Sequence, residues 1–178
     1  RCQTNASGER LVVDRVVVQG TLLDFTIGDA SGSESGGTQT FTVTRSSSVG
    51  ADTINFTTSG GTAISGTDFT ANSGTVNFAD GQTTRPISIT ISPDSTVELN
   101  ESYSVILSSP SRGSISDATG AGTITNDDSS VISLTSSSVT EGDSGSASLP
   151  FTLSLTNPVD VAVTVAASTL TTGSATAG

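Results

Sequence analysis

The chain has no lysine, histidine, tryptophan or methionine, and it has a single cysteine and a single tyrosine. Each absence removes a class of function. Without histidine there is no imidazole for a nucleophilic triad or for a zinc centre. Without lysine there is no Schiff base, and Cys2 has no imidazole to activate it as a nucleophile. One cysteine forms no intrachain disulfide, so Cys2 reads as an idle thiol. The longest apolar run, around Val16, Val17 and Val18, is far too short to span a bilayer. There is no initiator methionine and no signal peptide, so a mature or excised piece is expected. Positive charge is scarce, with 6 basic residues against 17 acidic ones and a net charge of −11. Such a surface repels nucleic acid and anionic lipid and invites divalent cations.

What remains is rich in Ser, Thr and Gly, with Val and Ile at regular intervals, a composition suited to strands and tight turns. Alternation with period two marks strands at about 22–27, 38–45, 52–57, 75–78, 86–92, 102–108 and 122–125. It turns Phe41, Val43, Ile54, Phe56, Val76, Phe78, Ile87, Ile89, Ile91, Tyr103, Val105, Leu107 and Ile124 inward. Glycine-rich turns separate the strands, as at Gly36-Gly37, Gly60-Gly61 and Asp80-Gly81. Seven short strands with no helical period predict an all-β, Ig-like antiparallel sandwich. The aromatics fall mostly on inward positions, so they form core and not a sugar-binding platform.

After Asp128 the pattern restarts. Val131-Ile132-Ser133-Leu134 matches the strand ending at Ile27, and Phe151-Thr152-Leu153-Ser154-Leu155 matches the strand from Phe41 to Arg45. Gly173 through Gly178 matches Gly61 through Gly66, and the acid Glu141 matches Glu34. The chain therefore divides into an N-terminal segment, 1–21, with a strand at about 11–18; a complete sandwich, 22–128; and the first half of a second repeat, 129–178. In that half-repeat, strands are expected at about 131–134, 148–155 and 160–166.

Successive connections of an antiparallel sandwich alternate between its two ends. The first, third and fifth loops and the exit of the last strand therefore share one end. That end collects Glu34, Asp68, Asp94, Glu98, Glu101, Asp127 and Asp128, while the other receives Asp52, Asp80 and Asp117. Two carboxylates about 6 Å apart repel by up to ~3 kcal/mol at an effective dielectric of ~20. Ca²⁺ resolves that conflict, because it accepts six to eight hard oxygen ligands in tolerant geometry. Magnesium demands a tighter octahedron, and zinc wants His or Cys. The alternative is that these acids are ordinary solvated loop residues.

Several runs also carry a family resemblance. Gly61 to Phe69, Ser73 to Gly81, Asp94 to Tyr103 and the closing Gly122-Thr123-Ile124-Thr125-Asn126-Asp127-Asp128 resemble a Calx-β domain over about residues 24–128. The half-repeat resembles only the first part of one. Such domains occur in sodium–calcium exchangers and, in long arrays, in secreted adhesion and matrix proteins. The resemblance implies calcium ligands at Glu34, Asp68, Asp94, Glu98, Glu101, Asp127 and Asp128. Two positions depart from the strongest sensors of that family: Pro93 replaces an acid before Asp94, and Asn126 replaces the first acid of the terminal run. One or two structural ions are expected in place of a full sensor cluster.

The leading expectation is an extracellular, calcium-binding structural or adhesive protein, with neighbouring repeats or copies of itself as partners and a cell-surface or matrix ligand open. Spare strand at 11–18 and an unfinished second repeat suggest head-to-tail strand donation into a filament. A fragment of a long adhesin array, or a regulatory module of a larger membrane or surface protein, are the alternatives. No membrane span, no nucleic-acid partner and no enzymatic activity are expected. The glycine-rich stretches match no phosphate-binding pattern. Asn5, Asn55 and Asn100 head glycosylation sequons, which permit a secreted location.

Overall fold

The computed structural model describes residues 22–140 and 142–169. The strand expected at 11–18, Cys2, Asn5, Glu141 and the stretch 173–178 lie outside those residues.

Nine strands form the sandwich: β1 (Asp24–Ile27), β2 (Ala30–Ser33), β3 (Thr38–Arg45), β4 (Asp52–Gly60), β5 (Ser73–Phe78), β6 (Thr84–Thr90), β7 (Glu101–Ser108), β8 (Ser114–Ile115) and β9 (Thr119–Thr125). One sheet runs β6-β3-β1-β8 and the other β2-β9-β7-β4-β5. The first strand, expected at 22–27, is β1, and a further strand that was not expected follows it. The chain pairs with β3 through Ile27, crosses at Gly28 and Asp29, and continues as β2 beside β9 in the opposite sheet. The Gly28 N–H donates to the Thr42 carbonyl at 3.0 Å, and the Asp29 carboxylate accepts the Ala121 N–H at 2.7 Å, fixing the crossover on both sides. Pairs β1·β8 and β2·β9 run parallel, and the remaining pairs run antiparallel.

The inward positions read from period-two alternation are the core. Phe41, Val43, Ile54, Ile89 and Val105 are fully buried, and Phe56 is half-buried at the edge. Tyr103 stacks on Phe69 at 4.6 Å between ring centroids and meets Phe41 edge-on at 5.8 Å. Its hydroxyl donates to Gln39 Oε1 at 2.8 Å, and the Gln39 amide donates to the Thr123 carbonyl at 2.9 Å. Two inward polar side chains thus satisfy each other and a strand end. Burial pushes the Tyr103 phenol up to about 12. Opposite its ring, Gly122 is required: a Cβ there would lie 2.5 Å from the tyrosine ring.

Sequence alternation also carries two charged residues inward. Arg45 continues the series Gln39, Phe41 and Val43, and Asp52 precedes Ile54; each is 2 % exposed. They form an ion pair, and Arg112 closes on the same carboxylate at 2.6 and 3.0 Å. The sequence reading assigns Asp52 to the far end without a partner; the structure keeps it at that end and buries it, because it shares the inward face of β4 with Ile54. Arg45 also donates to the carbonyls of Ser48, Gly50, Ala79 and Gln82 and lies over the Phe78 ring at 5.2 Å.

Beyond the sandwich, β10 (Ile132–Thr135) pairs antiparallel with β11 (Thr152–Leu155). The register repeats that of the complete sandwich: Ile132↔Leu155 and Leu134↔Leu153 correspond to Phe25↔Arg45 and Ile27↔Val43. The stretch expected as a strand at 160–166 has no regular pairing in the structure.

Candidate metal centre

The strands deliver four connections to one end: the turn Glu34–Gly36 after β2, the loop between β4 and β5, the loop between β6 and β7, and the exit of β9. All seven acids expected at that end are there. Six of them form two groups. Glu34, Asp94 and Asp128 each offer a carboxylate oxygen within 4.8 Å of the others, and so do Asp68, Glu98 and Glu101. Asp127 stands apart, its carboxylate accepting the hydroxyls of Ser33 and Ser35.

Local hydrogen bonds set each ligand. Glu34 is buried at 5 % exposure, and its Oε1 accepts the Asp94 N–H at 3.1 Å. Asp94 turns back to accept the Thr96 N–H at 2.6 Å, an Asx turn that fixes its carboxylate beside those of Glu34 and Asp128. Asp68 closes a tight turn in which its carboxylate accepts the Ile64 N–H at 2.5 Å and Gly66 takes a φ of +92°. That φ is open to glycine at no steric cost. Asn126 joins the two groups. Its Oδ1 accepts the Glu98 N–H at 3.0 Å, and its Nδ2 donates to the Asp128 carbonyl at 3.1 Å. The sequence reading took Asn126 as a missing acid; what its amide does is hold the two ligand loops together, a role a carboxylate lacks the donor for.

The electrostatics are strained. Burial, then the neighbouring carboxylates, raises Glu34 and Glu98. Glu101 is pushed up to about 7, by burial first and then by its hydrogen bond to the Asp68 carboxyl and the charge of that group. Asp127, by contrast, is lowered by its two serine hydroxyls. Glu101 Oε2 and Asp128 Oδ2 are buried with no hydrogen-bond partner. Buried carboxylate oxygens without partners are costly, and a hard cation is the group that satisfies them. The donor set is all oxygen, which suits calcium and disfavours zinc.

An Ig-like sandwich whose loops converge on two carboxylate groups is the architecture of a cation-binding β-domain. The family description that matches, Calx-beta domain, spans residues 19–130, and the chain belongs to that family. Its fold is similar to the apo form of the Calx CBD1 domain, at 24 % identity over 61 % of this chain and 100 % of that one, with a TM-score of 0.58. It is also similar to the calcium binding domain CBD12 of CALX1.1, at 23 % identity over 64 % of this chain and 50 % of that one, TM-score 0.57. The Calx CBD2 domain is similar at 18 % identity over 58 % of this chain and 86 % of that one, TM-score 0.55. No curated protein matches the chain.

Proposed function

We propose that the chain is a calcium-binding structural module. The observation that carries this reading is the pair of carboxylate groups in which Glu101 Oε2 and Asp128 Oδ2 are buried and unpartnered. One ion sits at Glu34, Asp94 and Asp128, and a second at Asp68, Glu98 and Glu101. Asp127 supports the β2 turn from the rim. The likeness to CBD12 of CALX1.1, a calcium binding domain, supports the same ion. Calorimetry of the whole chain in Ca²⁺ and in EDTA tests it: identical thermal transitions would sink the site.

The setting is read as extracellular, with a structural or adhesive role and no catalysis. The repeated strand register of β10 and β11 supports a second repeat beginning after Asp128. On that pair Ile132, Leu134, Leu153 and Leu155 are 42–61 % exposed, although Phe25, Ile27 and Val43, three of the matching residues, are buried. An apolar face of this kind supports contact with a neighbouring repeat or with another copy, head to tail. Sedimentation velocity over a hundredfold concentration range tests association between copies, and a single monomeric species throughout would refute it. A regulatory module of a larger membrane or surface protein is the second reading, favoured by the likeness of the fold to the Calx CBD1 and CBD12 domains.

A further inference from the structure

The C-terminal segment grips the very loop that carries the ion ligands. The Val97 N–H donates to the Pro158 carbonyl at 2.9 Å, and the Asp160 N–H donates to the Val97 carbonyl at 3.1 Å, bridging Val97 and Val159 in parallel. The segment is tied on its other side as well. The Asn157 N–H donates to Ser130 Oγ at 3.1 Å, the Ser130 hydroxyl donates to the Asn157 carbonyl at 2.9 Å, and the Asn157 side-chain amide donates to the Ser129 carbonyl at 2.8 Å. Residues 157–160 therefore run from the linker just after Asp128 to the residue just before Glu98. They lie outside the 19–130 span of the family match. Asp160 is exposed, and its charge contributes to the raising of both Glu98 and Glu101.

We propose that Asp160 is a further anionic group of the Asp68, Glu98 and Glu101 site, so that a divalent cation there holds segment 157–160 against the sandwich. This rests on the calcium reading. The physics gives it a sign that an ordinary surface aspartate lacks. With no cation, Asp160 is one more like charge beside Glu98 and Glu101, and it loosens the bridge to Val97. With a divalent cation in place the same charge is attracted, and it tightens the bridge. By linkage, docking of the segment and ion affinity then change by the same factor.

Hydrogen exchange at the Val97 and Asp160 amides of the full chain, in Ca²⁺ and in EDTA, reads the docking directly, and calorimetric Ca²⁺ titration reads the affinity. In the wild type, Ca²⁺ should slow exchange of both amides by about tenfold, a size set by one charge pair at partly screened dielectric. Asp160→Asn should exchange more slowly than wild type in EDTA and faster in Ca²⁺, and should bind the ion about three- to tenfold more weakly. Asp160→Glu should restore the wild-type order. Asp160 is exposed, so the thermal transition of the variant in EDTA verifies its fold. A variant with wild-type affinity and wild-type exchange in both buffers would overturn this inference while leaving the ion site standing. Absence of any Ca²⁺ binding by the wild type would overturn the ion reading, and this inference with it.

Discussion

The two ends of the sandwich meet the same difficulty, a carboxylate removed from water, and solve it differently. At the far end Asp52 lies between two guanidiniums, and burial and charge are balanced within the chain. The three arginines of the described residues, Arg45, Arg85 and Arg112, all belong to strands or loops of that end. At the ligand end six carboxylates converge with none, and two of their oxygens remain buried and unpaired. The built-in solution holds under all conditions of ion supply. The other leaves the end incomplete until a cation arrives, so its loops are stable only as far as the solution provides one.

The sharpest way to break the contrast is at the self-sufficient end. Asp52→Ala leaves the Arg45 guanidinium 2 % exposed and without its counter-charge. Removing one partner of a buried pair costs about 3–5 kcal/mol. Chemical denaturation should show the same loss in Ca²⁺ and in EDTA, and a loss that shrinks in Ca²⁺ would mean the two ends are not independent.

At the ligand end the effect belongs to the ion. Ca²⁺ at a hundred times its Kd should stabilise the sandwich by about 2.7 kcal/mol for one site. Glu101→Gln should remove most of the gain from the second group and raise stability in EDTA, because it deletes a buried charge that has no partner there. Asp117→Asn, at the far end, should leave the calcium gain intact. Thermal denaturation of the variants with and without chelator separates the three cases.

Most of this contrast can be read along the chain. Strand parity alone put the seven acids at one end, and alternation found the core. The same alternation, carried one step further along each strand, turns Arg45 and Asp52 inward, but the sequence reading named only the apolar inward positions, and a charged residue shows as buried only when its neighbours at i±2 are counted. β2 was illegible because Ala30-Ser31-Gly32-Ser33 has no branched or large side chain to mark a strand; its pairing with β9 comes from tertiary context. Likewise nothing local separates Asp127 from Asp128, since their difference lies in Ser33 and Ser35, more than 90 residues away. The link from Asp160 to the site depends on the docking of a later segment, which no local pattern reports.

The two ends should also titrate in opposite senses. Glu101 is raised in the folded chain from 4.5 to about 7, so the folded state without cation binds protons more readily than the unfolded one. Its contribution is fully present below pH 4.5 and lost as pH rises to about 7. Asp52 is lowered, first by its hydrogen bonds to Arg112, so its contribution is present above its ordinary value of 3.8 and lost as pH falls through the folded value. In EDTA, stability should therefore decline between pH 5 and 7, and Glu101→Gln should flatten that decline. Because the ion binds the ionised carboxylates, Ca²⁺ should flatten it too, with ion affinity rising across the same interval. A wild-type profile in EDTA that rises from pH 5 to 7 would contradict the assignment of Glu101.

The smallest expected effect tests the amide that joins the two carboxylate groups. Asn126→Asp adds an acid where stronger calcium-binding relatives were expected to have one, so a count of charges alone predicts tighter binding. The geometry predicts a cost first. Asn126 accepts the Glu98 N–H at 3.0 Å, which aspartate can still do, and donates to the Asp128 carbonyl at 3.1 Å, which it cannot. Losing one hydrogen bond at a half-buried position costs about 1 kcal/mol. In EDTA the new charge also sits among Glu98, Asp128 and their neighbours, which adds repulsion. In Ca²⁺ that added charge is attracted to the ions and offsets part of the loss. Denaturation in the two buffers should therefore show Asn126→Asp less stable than wild type in EDTA and closer to it in Ca²⁺. A variant more stable than wild type in EDTA would show that the amide bridge holds nothing, and that the ligand end tolerates a further acid without any cation to balance it.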